Sequence, residues 1–585
     1  MQAGLSITGY LARTEWPHTH WDPTFPGAPC SCGEHAALAW VSPQRLRLRA
    51  DDAPALVSGM IGTELSELPL RRLLAAPHSA LGTLSGSFAL AVLDPRRRQA
   101  LLAVDPFAIE NLYYVADADG LAFASRAAQL AHHPLVQHRF RLQSLYDAIY
   151  YHCLPAPDAG YVGMRRLAPG HFLRWADGRW ETVPYPLAPA PDIPPAERAQ
   201  ALRVSLRRAV AKALPVDSPA CFLSGGLDSS TITGLCSALR PADTVACTIG
   251  FDVPGYDETP FARAAARHFG VRHIEHYLRP DEIITDLPAI VSAFDAPFGN
   301  ASAVPAYACA KLAVADGHST ILAGDGGDEL FGGNARYAEQ QRFERYRGLP
   351  AWLRERLIAP LANSVPGKAA RFVRHATVPL PERLMRWNLL QVVAPGSFLA
   401  PAVLTEIDPE APLNHLRRCY AASAGRDSVD RLLRLDWRLT LADSDLPKVT
   451  RTCALAGIKV AFPMLDAAVV ALADELPPRS KVGLRALRPF YRESFADFLP
   501  RSSLRKTKQG FGMPFGRWLM NHAGLRAFAA DELRWLEQLG VLRRGFRAEL
   551  LGRQVDEHPT YFGTLVWVLL TLALWLRQTR VSLVP

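Results

Sequence analysis

From Ala199 to Phe269 the chain alternates between two periods. Ala199–Leu214 is helical in period, Ala220–Leu223 reads as a short buried strand, Ser229–Leu239 as a helix, Thr244–Gly250 as a strand and Glu258–Phe269 as a helix. Strands that alternate with helices pair in parallel, and a parallel sheet needs helices over both faces, so this region is restricted to an α/β fold. From about Arg336 the sequence reads mostly helical. The first third differs. Ser87–Leu93 and Gln99–Val104 flank the polar turn Asp94-Pro-Arg-Arg-Arg98, and Leu112–Val115 and Leu121–Ala124 flank Asp117-Ala-Asp-Gly120. These are hairpin signals, so this part is antiparallel and β-rich, an α+β unit. Between the two parts, Val183–Pro195 is rich in proline and alanine and reads as a stiff linker. The 585 residues are too many for one ordinary core. They divide into 1–182, a linker at 183–197, and 198–585.

Composition narrows the class. Hydrophobic residues make up 49% and charged residues 21%, the balance of a globular chain. Nine cysteines, odd in number and irregularly spaced, argue against a disulfide framework and for a reducing, cytoplasmic setting. Cys30 and Cys32 have no second pair downstream, which speaks against zinc. The formal charge is +9, but no run of five or six basic residues occurs, so the excess reads as diffuse and no nucleic-acid partner is expected. No N-terminal stretch has the form of a secretory signal. Tyr561–Leu576 is apolar and uncharged but short of the ~20 residues that cross a bilayer, so it reads as a buried helix and no membrane span is expected.

Ala220-Cys-Phe-Leu-Ser-Gly-Gly-Leu-Asp-Ser-Ser230 leaves a strand, turns through two glycines and enters a helix. Such a turn suits phosphate: glycine lets backbone N–H groups approach the oxygens, and the helix start supplies unpaired donors and a positive dipole end. Ser224, Ser229 and Ser230 add hydroxyls. Asp228 should repel an anion unless a divalent cation bridges them, as Mg2+ bridges carboxylate and phosphate oxygens. The whole string matches the signature of ATP pyrophosphatases of the N type, and not the Gly-Lys-Ser/Thr loop of γ-phosphate-cleaving enzymes. ATP and Mg2+ are therefore the expected ligands. A second turn, Ala323-Gly-Asp-Gly-Gly-Asp-Glu-Leu-Phe-Gly-Gly333, follows the apolar Thr320-Ile-Leu322. It carries Asp325, Asp328 and Glu329 just past a strand end, where ligands bind in open α/β sheets. Asp328 can share a metal with Asp228, and Asp325 can serve as a base or orient a nucleophile.

These motifs resemble those of the asparagine synthetase family. Ser224–Ser230, Gly324–Gly333 and Lys508-Gln-Gly-Phe-Gly-Met-Pro-Phe-Gly-Arg-Trp518 match in the family's order, and Lys448-Val-Thr-Arg451 with Phe462-Pro-Met-Leu-Asp466 matches less closely. Gly86-Ser-Phe-Ala-Leu-Ala-Val-Leu-Asp94, Leu112-Tyr-Tyr114, Phe123-Ala-Ser125 and Arg165-Arg-Leu-Ala-Pro-Gly-His171 resemble the family's glutaminase-like domain. The resemblance implies a glutaminase-like antiparallel β-sandwich with helices, followed by an ATP-pyrophosphatase domain of parallel sheet and many helices. It also implies roles. Ser224, Gly225, Gly226, Asp228, Ser229 and Ser230 would bind the pyrophosphate end of ATP. Phe222, Ile249 and Gly324 would line the adenosine pocket. Asp228 and Asp328 would hold magnesium. Asp325 would help the amine attack, and Lys508, with Lys506 two residues away as the other candidate, would steady pyrophosphate and the developing oxyanion.

The departures concern the substrate. Glutamine-dependent members need a cysteine after the initiator methionine, and Gln2 stands there. The family's glutamine-holding Gly-Glu-Ile-Tyr-Asn segment has no counterpart, so no glutamine hydrolysis is expected. Thr450, Lys459 and Ala461 replace the aspartate, glutamate and arginine that amino-acid-amidating members carry, and a small dianionic substrate needs such fixed counter-charges. This pattern looks most like the lasso-peptide cyclases, which adenylate an Asp or Glu side chain of a precursor peptide and close a macrolactam with its N-terminal amine. The resemblance then implies a leader peptidase and a leader-binding protein as partners. A β-lactam-type synthetase or an ammonia-dependent asparagine synthetase is the alternative.

Overall fold

The computed structural model describes residues 6–12, 30–31, 36–41, 56–58, 70–94, 97–131, 133, 136–187, 192–364, 367–423, 425–483, 486–506 and 512–585. Gln2, Cys32 and Lys508 lie outside the described residues.

Five strands, β1 (Ala220–Phe222), β2 (Val245–Gly250), β3 (Arg272–Tyr277), β4 (Thr320–Leu322) and β5 (Lys459–Ala461), form one sheet in the order β3-β2-β1-β4-β5. Every neighbouring pair is parallel, as the alternation of periods predicts. All six residues of β2 are buried, since both faces are covered. The chain winds outward from β1 to β3 and then crosses back to β4. That reversal of strand order falls between β1 and β4, and the carboxyl ends of strands at such a point are where ligands bind in open α/β sheets. Helix α1 (Leu227–Leu239) leaves β1 there. Farther on come α2 (Ala335–Arg347), α3 (Lys368–Thr377) and, near the C-terminus, α4 (Pro559–Thr579).

The N-terminal part is a pair of antiparallel sheets, of six and five strands. Its hairpins fall where the turn signals put them: Ala89–Asp94 with Gln99–Val104, and Tyr113–Ala116 with Gly120–Ala124. Side chains at Ala89, Ala91 and Leu93 meet Leu121, Phe123 and Trp175 between the sheets, while Leu90 and Val92 point the other way, towards Leu73 and Leu81. Alternate residues thus fill two layers.

One sequence expectation needs correction. The linker does not begin at residue 183: Val183 and Pro184 end the strand Arg179–Pro184, and the buried Tyr185 donates its hydroxyl to the Val104 carbonyl at 2.6 Å. A proline-rich stretch can still pair as an edge strand, which composition does not reveal. The two parts also pack against each other. The strand Ser582–Val584 pairs in parallel with Gln137–Arg141, and Trp575 packs on Phe140 at 5.0 Å. The buried Asp295 carboxylate takes Arg126 at 2.9 Å from one side and Arg451 at 3.0 Å from the other. Burial alone would raise its pKa, but the two guanidiniums outweigh that and hold it below the usual range. Helix α4 extends beyond 561–576 at both ends and is long and apolar enough to cross a membrane, yet 72% of its most apolar window is buried inside the fold. There it covers the core that both parts share.

Candidate active site

The first glycine-rich turn caps β1 and starts α1. Gly225 has φ +70°, and a side chain there would run into the backbone of Phe261 and Ala262, so only glycine fits. Ser224 Oγ and Ser229 Oγ lie 3.0 Å apart, and Ser229 Oγ also accepts from the Ser224 N–H at 3.2 Å. This small ring holds the loop open around the helix start. Ser230 behaves differently. Its hydroxyl is fully buried and pairs with Ser503 Oγ at 3.1 Å, and its N–H donates to the Gly226 carbonyl. Phe222 is half-buried at the end of β1, whereas Ile249 is in the core.

The second turn, after β4, lies directly against the first. A side chain on Gly324 would press on the Asp228 backbone at 2.9 Å. Gly326, at φ +95°, turns the chain into the short helix Gly327–Phe331. Asp228 and Asp328 then meet on a single guanidinium. Arg488 donates from both terminal nitrogens to Asp228 (Nη1 to Oδ2, 2.7 Å; Nη2 to Oδ1), from Nη1 to Asp328 Oδ1 at 3.2 Å, and from Nη2 to the Gly327 carbonyl at 2.9 Å. The Arg488 side chain is 4% exposed and lies 4.6 Å from the centre of the Tyr491 ring. Burial works against its charge, but Asp228 and Asp328 more than compensate and raise its pKa above the ordinary arginine value. Glu329, one residue on, is buried among Asp328, Asp445 and Asp436. Burial first, then those carboxylates, raise its pKa well above the usual range.

A second cation serves the other acid. Lys448 Nζ lies 2.9 Å from Asp445 Oδ1 and 3.9 Å from Asp325 Oδ1. Asn300 donates to Asp445 Oδ1 at 3.3 Å and to Ser444 Oγ at 3.0 Å. Lys506 ties the first turn down from outside, with Nζ 2.8 Å from the Ser224 carbonyl and 2.9 Å from Glu258 Oε1. The structure thus brings together Ser224, Gly225, Gly226, Asp228, Ser229, Gly324 and Asp328, with Asp325 on the same turn as Asp328. Ser230 serves the scaffold instead. Sequence reasoning missed Arg488, Asp445, Asn300 and Glu258. For Arg488 no local signal existed, because it sits 260 residues from Asp228 in a Leu-Arg-Pro context of no distinctive pattern.

The donor set fits Mg2+. Asp228 and Asp328 are hard oxygen donors from separate turns that converge on the Arg488 guanidinium, and among the described residues no cluster of three or more metal-ligating side chains exists. A site of two carboxylates is completed by phosphate oxygens, the usual arrangement for magnesium. The cleft of about 450 Å³ lined by Arg141, Asp147, Tyr151 and His415 involves neither glycine-rich turn.

Comparison with known proteins shows the family. A family profile described as asparagine synthase matches residues 201–577, and one described as a glutamine amidotransferase domain matches residues 66–186. A putative glutamine-hydrolysing asparagine synthetase of Mycobacterium tuberculosis is 29% identical over 530 residues, covering 85% of this chain and 77% of that protein. Asparagine synthetase 1 of Bacillus subtilis, also named as glutamine-hydrolysing, is 25% identical over 459 residues, covering 76% and 70%. An amidase of Gibberella zeae is 27% identical over 304 residues, covering 47% and 44%.

Proposed function

We propose, from the premise that this chain belongs to the asparagine synthase family, that it is an ATP-dependent amide ligase that closes a peptide macrolactam. The observation that carries the ligase reading is the meeting of Asp228 and Asp328 on one point at the reversal of strand order. There, the N–H groups at the start of α1 can hold the departing pyrophosphate. A substrate carboxylate oxygen attacks the α-phosphorus, pyrophosphate leaves, and an amine then attacks the acyl carbon and expels AMP. Magnesium, when bound, would be held by Asp228 and Asp328 and would neutralise the phosphate charge. Asp325, beside Lys448, stands where a base can take the amine proton. Lys508, the family's match for the cation that steadies the oxyanion, keeps that role in this reading.

The finer reading rests on the substrate side. Ala323 N–H donates to the Ala461 carbonyl at 2.9 Å, so position 461 lies next to the second acidic turn, where a half-buried alanine offers no counter-charge to a second carboxylate. Thr450 turns its hydroxyl back onto the Leu446 carbonyl at 2.9 Å. A peptide bearing one Asp or Glu side chain and its own N-terminal amine needs no such second counter-charge, and holding both ends together removes up to ~7–11 kcal/mol of entropic cost. The partners would be the precursor peptide, a leader peptidase and a leader-binding protein. The asparagine synthetases among the relatives favour the second reading, an ammonia-dependent asparagine synthetase or a β-lactam-type synthetase. Incubation with leaderless peptide, ATP and Mg2+ separates them. Loss of one water from the peptide, with AMP and pyrophosphate released in equal amounts, supports the cyclase. Turnover of aspartate with ammonia and none of the peptide contradicts it.

A further inference from the structure

Between Arg336 and Arg386 the sequence holds 11 lysines and arginines against four acidic residues, a net +7 in a chain whose whole formal charge is +9. The expectation of diffuse charge fails here, because the cations come as a rule two to four residues apart instead of in a run, and only helix packing gathers them. Helices α2 and α3 pack through Phe343, Tyr346, Val373 and Ala376. That leaves Arg342 and Arg345 of α2 and Lys368, Arg371 and Arg374 of α3 exposed. Together with Arg356, these side chains make no hydrogen bond or ion pair with any described residue.

The segment 351–363 joins the two helices as Ala351–Leu353, a π turn at Arg354–Ile358, and Ala359–Asn363. A π turn bonds residues five apart, as Ala359 N–H does to the Arg354 carbonyl. Trp352 and Leu357 therefore share a face, and Leu361 continues it. They are 59%, 47% and 72% exposed, and with Leu349 they are four of the 11 large apolar side chains exposed among the described residues.

We propose that this helical corner docks the protein peripherally on an anionic phospholipid surface. Trp352, Leu357 and Leu361 enter the headgroup boundary, and the six unpaired cations lie over the lipid phosphates. An apolar ridge bordered by lysine and arginine is the pattern of interfacial helices, and clustered cations supply the preference for anionic lipid. Side chains that stand this far out of the fold need a fluid partner more than a shaped one. A second copy of the chain is a poor occupant, because two faces each carrying these six unpaired cations repel. Nucleic acid would use the cations but leave the ridge in water. The inference does not depend on the reaction proposed above.

The test floats the full-length protein with vesicles of phosphatidylcholine alone and of phosphatidylcholine mixed with phosphatidylglycerol. Binding to the mixed vesicles should exceed binding to the neutral ones by on the order of tenfold or more, and should fall as salt is raised. Leu361→Glu and Arg371→Glu should each lower the bound fraction severalfold while leaving the unfolding temperature unchanged, since both side chains are exposed. Absence of vesicle binding, equal binding to both compositions, or binding unaffected by either variant overturns the proposal. Retention on immobilised polyglutamate without vesicle binding overturns it in favour of an acidic protein partner.

Discussion

Two cations meet the two acidic turns, and they do so differently. Arg488 is almost wholly enclosed and bonds both oxygens of Asp228, one of Asp328 and a backbone carbonyl. Lys448 is 14% exposed, holds Asp445 closely and stands 3.9 Å from Asp325. The first arrangement is rigid: a planar guanidinium bridges two carboxylates from separate turns. The second leaves a longer contact at Asp325, the residue that the proposed reaction uses as its base. One turn of sequence, Asp325 to Asp328, thus spans a structural pole and a chemical one. On the proposed reaction, this division predicts that nucleotide activation and acyl transfer can be disturbed separately.

The largest effect should come from Arg488→Met. It leaves two part-buried carboxylates facing each other without a counter-ion, a change that costs about 3–5 kcal/mol when a buried pair is broken. Denaturant unfolding measures it, and Arg488→Lys should recover part of the loss without the forked geometry. A stability change below about 1 kcal/mol, the scale of an exposed pair, would mean that Arg488 is no strut. Next, Asp228→Asn should lower pyrophosphate exchange into ATP by on the order of 10²–10³, the scale of one lost electrostatic partner at a reacting phosphate. Asp325→Asn should slow amide formation about a hundredfold, the lower range for a general base, while leaving pyrophosphate exchange nearly intact. Equal loss in both assays would erase the distinction between the poles. The smallest effect separates neighbouring serines. Ser230→Ala should cost about 1 kcal/mol of stability, the value of its hydrogen bond with Ser503, with KM for ATP unchanged. Ser229→Ala should raise that KM.

The parallel sheet was legible because its strands and helices are separated by clear changes of period, as in Ala220–Leu239. The two turns were legible because glycine and aspartate at those spacings have few other uses. What escaped was everything that depends on distant chain segments. β5 is only Lys-Val-Ala, too short to stand out, yet it places Ala461 beside the second turn. The strand Ser582–Val584 completes a sheet begun at Gln137–Arg141, a pairing across the linker that composition does not show. Ser230 shares the motif with Ser229, but one residue along a helix rotates a side chain about a hundred degrees, which turns Ser229 towards the loop and Ser230 into the core. Arg488 adopts φ +57° just before Pro489, a conformation that no pattern of residue types announces.

The central claim is that Asp228 and Asp328 act on one nucleotide. A double-mutant cycle on pyrophosphate exchange, with Asp228→Asn, Asp328→Asn and the two combined, tests it most directly. The account predicts that either single change removes nearly all exchange and that the combination is no worse than the more damaging single variant. Losses that multiply as independent factors, or exchange that survives Asp328→Asn, would contradict it.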